Sequence, residues 1–204
     1  MFTSSDSGQK DLLDAIWRLA IVAEYRDGGN PSHLERIRGY SLVLARGLGL
    51  AQKEAQIIST ASQLHDIGKA GLPDALLLKE STYTSVELDA AKAHTWIGAD
   101  LLKNSPSVYL QAGECIALSH HERWDGSGYP NGLRGESIPL SARIVALADV
   151  FDALTTPRTY KPEISIDEAR RLILDASSLM FDPQLVQVFY DEYGEFQRIR
   201  RGKR

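Results

Sequence analysis

From Lys10 to Arg26 the chain reads KDLLDAIWRLAIVAEYR. Leu12, Ile16, Leu19, Ala20 and Ala23 recur three and four residues apart, the spacing that lines apolar side chains along one face of a helix. Charged residues interrupt the run and keep it from reading as a buried strand. The same period continues downstream. Pro31 suits the first turn of a second helix, capped by Asn30 and stopped near Gly47 to Gly49. A third is expected from about Gln52 into His65-Asp66, ended by Gly68, Gly71 and Pro73. Thr84-Ser85-Val86-Glu87 matches a capping box and opens a helix to about Lys103. Further helices are expected from Pro106 to His120-His121, from Leu140 to Leu154, after Ser165-Ile166-Asp167-Glu168, and from Asp182-Pro183. Strand-like alternation of useful length and internal repeats are both lacking. The expectation is one all-α domain, a bundle of about seven to nine helices with the functional centre in its core.

Composition narrows the class. The chain has 204 residues, 43% hydrophobic and 25% charged, with a net charge of −4. That is enough chain for one core, and the balance argues against a DNA-coating or membrane-surface protein. No stretch approaches the length of a membrane span, and no signal peptide is visible, so a cytoplasmic protein is expected. The single cysteine, Cys115, excludes an intrachain disulfide framework; its apolar helical setting suggests a packed thiol. Residues 1–8 are expected as a flexible N-terminal segment, 9–195 as the domain and 196–204 as a basic tail. Leu12, Ile16 and Leu19 form one stripe, usable as a dimer seam, though core packing is the expected use.

All five histidines, His33, His65, His94, His120 and His121, fall in step with acids in ligand-like patterns. One adjoins Asp66 and two adjoin each other. Asp149 sits in Val145-Ala146-Leu147-Ala148-Asp149-Val150, where a carboxylate is costly unless paired or metal-bound. Taken singly, most have ordinary readings: His33 as a helix-surface residue, His94 as a packed one beside Trp96, His120-His121 as a helix-end cap. Jointly, imidazoles and carboxylates without thiolate are the donor set of a catalytic first-row metal centre. Seven donors are too many for one catalytic ion that keeps an open position. They suit two ions roughly 3.5–4 Å apart that share a carboxylate, with Asp66 as the bridge. Asp152, one turn after Asp149, is placed to orient a ligand histidine.

These residues resemble a known family. His65-Asp66-Ile67-Gly68-Lys69 with the downstream Asp149 is similar to the HD phosphohydrolase superfamily. His120-His121-Glu122-Arg123-Trp124-Asp125-Gly126-Ser127-Gly128-Tyr129-Pro130 resembles its HD-GYP branch, as do Gly132-Leu133, Ile138-Pro139, Ala142-Arg143-Ile144, Asp149 to Thr155 and Arg158 to Lys161. The resemblance runs from about Leu19 to Leu185. It implies an HD-GYP bundle acting as a metal-dependent phosphodiesterase on the bacterial second messenger cyclic di-GMP, giving pGpG, GMP or both. It implies His33, His65, Asp66, His94, His120, His121 and Asp149 as ligands of iron or manganese, with nickel, cobalt or zinc admitted by the same donors. Some members place a glutamate four residues before the first histidine for a third metal. Gly29 stands there, so two ions are expected. Members are often joined to receiver or other sensory domains, and a diguanylate cyclase is a conceivable partner.

The chemistry of a phosphodiester assigns the remaining roles. Lys69, one turn after Asp66, would offer a point charge to the phosphorane or leaving oxygen. Tyr129 would stack a guanine, and Arg158 and Lys161 would reach the second phosphate. Gly126, Gly128 and Gly132 would permit positive-φ turns that aim Tyr129, and Arg143 with Asp125 would form a structural ion pair. Two alternatives remain: a phosphohydrolase of another nucleotide, such as a mixed cyclic dinucleotide, and a catalytically idle module binding nucleotide or a partner.

Overall fold

The computed structural model describes residues 4–26, 28–79, 81–157 and 164–202. Among them there is no strand, only one isolated bridge between Ser177 and Phe181. The α-helices are α1 (Ser4–Arg26), α2 (Pro31–Gly47), α3 (Gln52–Ala61), the single turn α4 (Asp74–Leu77), α5 (Ser85–Lys92), α6 (His94–Leu102), α7 (Val108–Ser119), α8 (Leu140–Thr155), α9 (Ile166–Asp175), α10 (Pro183–Asp191) and α11 (Tyr193–Arg200). Ten of them run eight residues or more.

The caps form as the sequence suggests. The Asn30 side chain accepts from Ser32 N at 2.9 Å with Pro31 following, and Thr84 and Glu87 close a reciprocal capping box. Ser165 and Asp182 cap α9 and α10. Two expected helices are each divided. The one opened by Thr84 breaks at Ala93, where His94 Nδ1 bonds Ala91 O and Thr95 Oγ1 donates to Lys92 O. Both reach three residues back, competing with the four-residue ladder. The last divides at Glu192, between α10 and α11.

The third helix stops short of the histidine–aspartate pair. After α3 the chain tightens into a 3-10 turn over Ser62–Leu64, passes through His65 and Asp66, and resumes 3-10 winding over Ile67–Gly71. Ser62 Oγ donates to Ser59 O, and His65 Nδ1 bonds Ser62 O. His65 and Asp66 thus sit in the turn between two 3-10 stretches rather than on a continuous α-helix. A Cβ on Gly68 would lie 1.9 Å from His94 O and 2.4 Å from Gly98 N, so this segment lies backbone to backbone against α6.

Two apolar clusters flank the centre. The larger gathers Ile37, Tyr40 and Leu44 of α2 with residues of α3, α8, α9, α10 and α11; Tyr40 stacks on Phe196 at 4.7 Å. The smaller joins Ile16, Ala20 and Ala23 of α1 to Leu34, Leu64, Leu102 and Ala117. Ile16 is therefore core, whereas Leu19 turns outward with Val22 and Tyr25, so the leading stripe is no single seam. Packing also continues past residue 195, because Phe196 is fully buried in α11. Cys115 is exposed, contrary to the packed-thiol expectation: Gly113, Ile116 and Ala117 form the inward face of α7 and residue 115 misses it. No helix among the described residues is long and apolar enough to cross a membrane.

Candidate metal centre

Five elements converge on one place. His33 comes from the first turn of α2, His65 and Asp66 from the 3-10 segment, and His94 from the start of α6. His120 and His121 follow the end of α7, and Asp149 lies in the middle of α8. All seven expected donors fall into two groups, Asp66 with His94, His120 and His121, and His33 with His65 and Asp149. Within each group one ligand atom per residue lies within 4.8 Å of the others.

The imidazoles are aimed. His65, His94 and His120 each place Nδ1 on a backbone carbonyl, at 2.9, 2.8 and 3.0 Å. Their Nε2 atoms are buried with no hydrogen-bond partner, and so is Asp66 Oδ1. A buried polar atom left unpaired is costly, and here four of them converge. Nε2 lone pairs and a carboxylate pointing at common centres are what a divalent cation requires, so these residues fit a metal. Asp66 faces both groups. Its Oδ1 lies 3.4 Å from His94 Nε2 and 3.6 Å from His120 Nε2, and its Oδ2 lies 3.3 Å from His65 Nε2. Asp149 Oδ1 stands 3.8 Å from His33 Nε2 and 4.0 Å from His65 Nε2.

Charge is unevenly distributed. Burial opposes ionisation of Asp66, yet Lys69 and His65 hold its carboxyl well below the usual range. Burial lowers His65, but Asp66 and Asp149 together raise it to about 9. Burial and then the His120 imidazole drive His121 far down, and burial also lowers His94. Lys69 Nζ sits 2.9 Å from Asp66 Oδ2, at the edge of the cluster.

His33 is supported differently. Its Nδ1 donates to Asp152 Oδ2 at 2.7 Å, the orienting contact expected of Asp152. Asp152 is only 2% exposed and is gripped by Arg36 through Nε at 2.5 Å and Nη2 at 2.8 Å. Burial works against the Asp152 charge, but Arg36 and His33 outweigh it and hold the carboxyl at about 2. Arg36 went unremarked in the sequence, although it lies one turn from His33 on the same helix.

The glycine-rich loop is built around another unremarked residue. Glu122 is buried and accepts from Asn131 N at 2.7 Å and Leu133 N at 3.0 Å, pinning the far side of the loop. Its place directly after His120-His121 was the available signal. Gly126 and Gly132 adopt positive φ, as expected, but Gly128 does not. Gly128 is needed for closeness instead: a Cβ there would lie 2.3 Å from Arg123 N. Tyr129 is half-buried beside the cluster, and its ring stacks on His121 at 4.7 Å and 25°. The Lys92 ammonium lies over that ring, 5.5 Å from its centroid. Arg143 pairs with Asp182 rather than Asp125, whose Oδ1 accepts from Ser127 N and Oγ. Arg158 and Lys161 lie outside the described residues. At Gly29 a Cβ would stand 2.1 Å from Glu24 Oε1, so that position is filled from α1.

A family model described as HD domain matches residues 20–185. The cyclic di-GMP phosphodiesterase response regulator RpfG of Xanthomonas campestris pv. campestris (strain 8004) is 45% identical over 186 residues, covering 91% of this chain and 49% of that protein. The cyclic di-GMP phosphodiesterase of Thermotoga maritima is 43% identical over 178 residues, 87% of this chain and 48% of that protein. The fold of a cyclic GMP-AMP specific phosphodiesterase of V. cholerae (V-cGAP3) matches at a TM-score of 0.68 and 24% identity, over 92% of this chain and 50% of that one. The chain thus spans about half the length of the relatives it matches. It belongs to the HD-domain family, in the branch whose loop carries the HD-GYP motif.

Proposed function

We propose that the chain is a metal-dependent phosphodiesterase that hydrolyses cyclic di-GMP to pGpG, GMP or both. One observation carries the reading: Asp66 presents one oxygen to each of two convergent donor groups. Two relatives, more than two fifths identical to it over the aligned half of their lengths, are named cyclic di-GMP phosphodiesterases. The two groups would hold two divalent ions, iron or manganese, in a cytoplasmic signalling protein. A sensory or receiver region and a diguanylate cyclase are the partners this reading implies.

Two cations, when bound, supply the Lewis acidity that lowers the pKa of water and neutralises the non-bridging phosphoryl oxygens. The chain's own residues do the rest. Asp66 fixes the spacing of the two donor groups, and Lys69 with His65 keeps it ionised against its burial. Water oxygen bonds to phosphorus, the bond from phosphorus to the ribose 3′-oxygen breaks, and that oxygen leaves with a proton. Lys69, held 2.9 Å from Asp66, places a positive charge beside the developing negative oxygens. Tyr129, its ring stacked on His121, borders the substrate beside the donor groups. Arg158 and Lys161 would bind the second phosphate.

The test pairs metal content with turnover. Anaerobically loaded with iron or manganese, wild type should hydrolyse cyclic di-GMP, and Asp66→Ala should lose both metal and activity. Metal-loaded wild type that binds the nucleotide without turning it over would make the chain a binding module. Preferential turnover of a mixed cyclic dinucleotide would redirect the substrate assignment towards that of the V. cholerae cyclic GMP-AMP specific phosphodiesterase whose fold matches.

A further inference from the structure

We propose that the cleft between α8 and the turn over residues 176–181 seats one guanine of the substrate, with Arg123 reading its edge. This rests on the phosphodiesterase reading and says where the base goes. Tyr129 is the obvious aromatic near the centre, but its ring already stacks on His121 and has the Lys92 ammonium 5.5 Å from its centroid. The apolar surface a base needs lies beside it. His120, His121 and Asp149 line a cleft together with Ala146, Val150, Met180 and Phe181, and Arg123 and Tyr129 also border it.

The wall is built to be fixed. Ala146, Asp149 and Val150 fall three and four residues apart on α8, so one helix face offers two small apolar side chains around a ligand carboxylate. The 176–181 turn is tied to itself by Met180 N to Ala176 O and Ser178 N to Phe181 O. It is tied to the loop by Trp124 N to Met180 O at 3.2 Å and Asp125 N to Leu179 O at 2.9 Å. Those two bonds hold the backbone next to Arg123, which immediately precedes Trp124, against the turn, and Arg123 and Met180 both line the cleft. Small residues at 146 and 150 leave room for a planar ring, and thioethers pack well on aromatic faces. Arg123 is exposed and supplies paired N–H donors. Guanine presents O6 and N7 as adjacent acceptors, whereas adenine replaces O6 with an amino donor, so the same arginine favours one purine over the other.

The experiment measures kcat and KM of the metal-loaded full chain on cyclic di-GMP, a mixed GMP-AMP ring and the compact diester methyl 4-nitrophenyl phosphate. Ala146→Leu, which fills the cleft, should raise KM for cyclic di-GMP about tenfold more than it affects the compact diester. Met180→Ala should raise it less, through lost contact. Arg123→Ala should shrink the preference for guanine over adenine rings by about tenfold while metal content stays at the wild-type level. Equal losses on all three substrates for Ala146→Leu, or an unchanged base preference for Arg123→Ala, overturn the inference. Base-selective binding without turnover would sink the hydrolase reading alone. Turnover without base preference would sink the guanine seat alone.

Discussion

At His33 the ring is turned by a carboxylate where the other buried ligand histidines lean on backbone carbonyls. Asp152 fixes the tautomer, and Arg36 fixes Asp152 by two bonds, so removing the charge should disturb the metal more than the fold. Asp152→Asn should weaken metal affinity about 10–100-fold in a calorimetric titration, with the second donor group less affected. The same residue shapes acid stability. Its carboxyl sits at about 2 against an ordinary 3.8, so its stabilising charge is fully present above pH 4. That contribution, about 2 kcal/mol, is lost as the pH falls through 2. Urea midpoints of the metal-free protein should therefore fall over this window in wild type and less steeply in Asp152→Asn. The sequence exposed the ligands because they are improbable as a set, and because Asp149 stands in an apolar helix. Arg36 stayed hidden because an arginine on a helix is unremarkable until its partner, 116 residues away, is known.

Among the elements, helix starts were readable from side-chain caps or from period, as in α8, whereas breaks set by packing were not. Asn30-Pro31, Thr84-Glu87, Ser165-Glu168 and Asp182-Pro183 announce helix starts through local bonds that sequence alone specifies. The 3-10 winding around His65-Asp66 depends on the close approach of α6, a tertiary fact. Gly68 permits it, since a methyl group there would meet two backbone atoms that cannot swing away. Gly68→Ala should lower stability by about 3 kcal/mol or more and reduce metal loading, read by calorimetric melting and metal analysis. The loop makes the complementary case. Glu122 satisfies two loop amides, so Glu122→Ala should speed hydrogen exchange at Asn131 and Leu133 and raise KM, while leaving most of the metal bound. Equal loss of metal would show the loop and the ligands to be one unit.

For the whole molecule, residues from 33 to 149 meet between two apolar clusters, and metal binding should therefore brace the entire bundle. Saturation at about 100 times Kd adds about 2.7 kcal/mol. Stripping the metal with a chelator should thus lower the melting temperature by roughly 5–10 °C in scanning calorimetry. The all-α class and the seven donors could be read from the chain because helical period and residue type carry them. The cleft beside Met180 could not, because it exists only once α8 and the 176–181 turn are brought together. The most direct measurement is anomalous scattering from crystals of the metal-loaded protein. Two peaks roughly 3.5–4 Å apart, with Asp66 between them, are expected. A single peak held by one donor group, or peaks away from both, would contradict the two-ion centre on which the proposed hydrolysis depends.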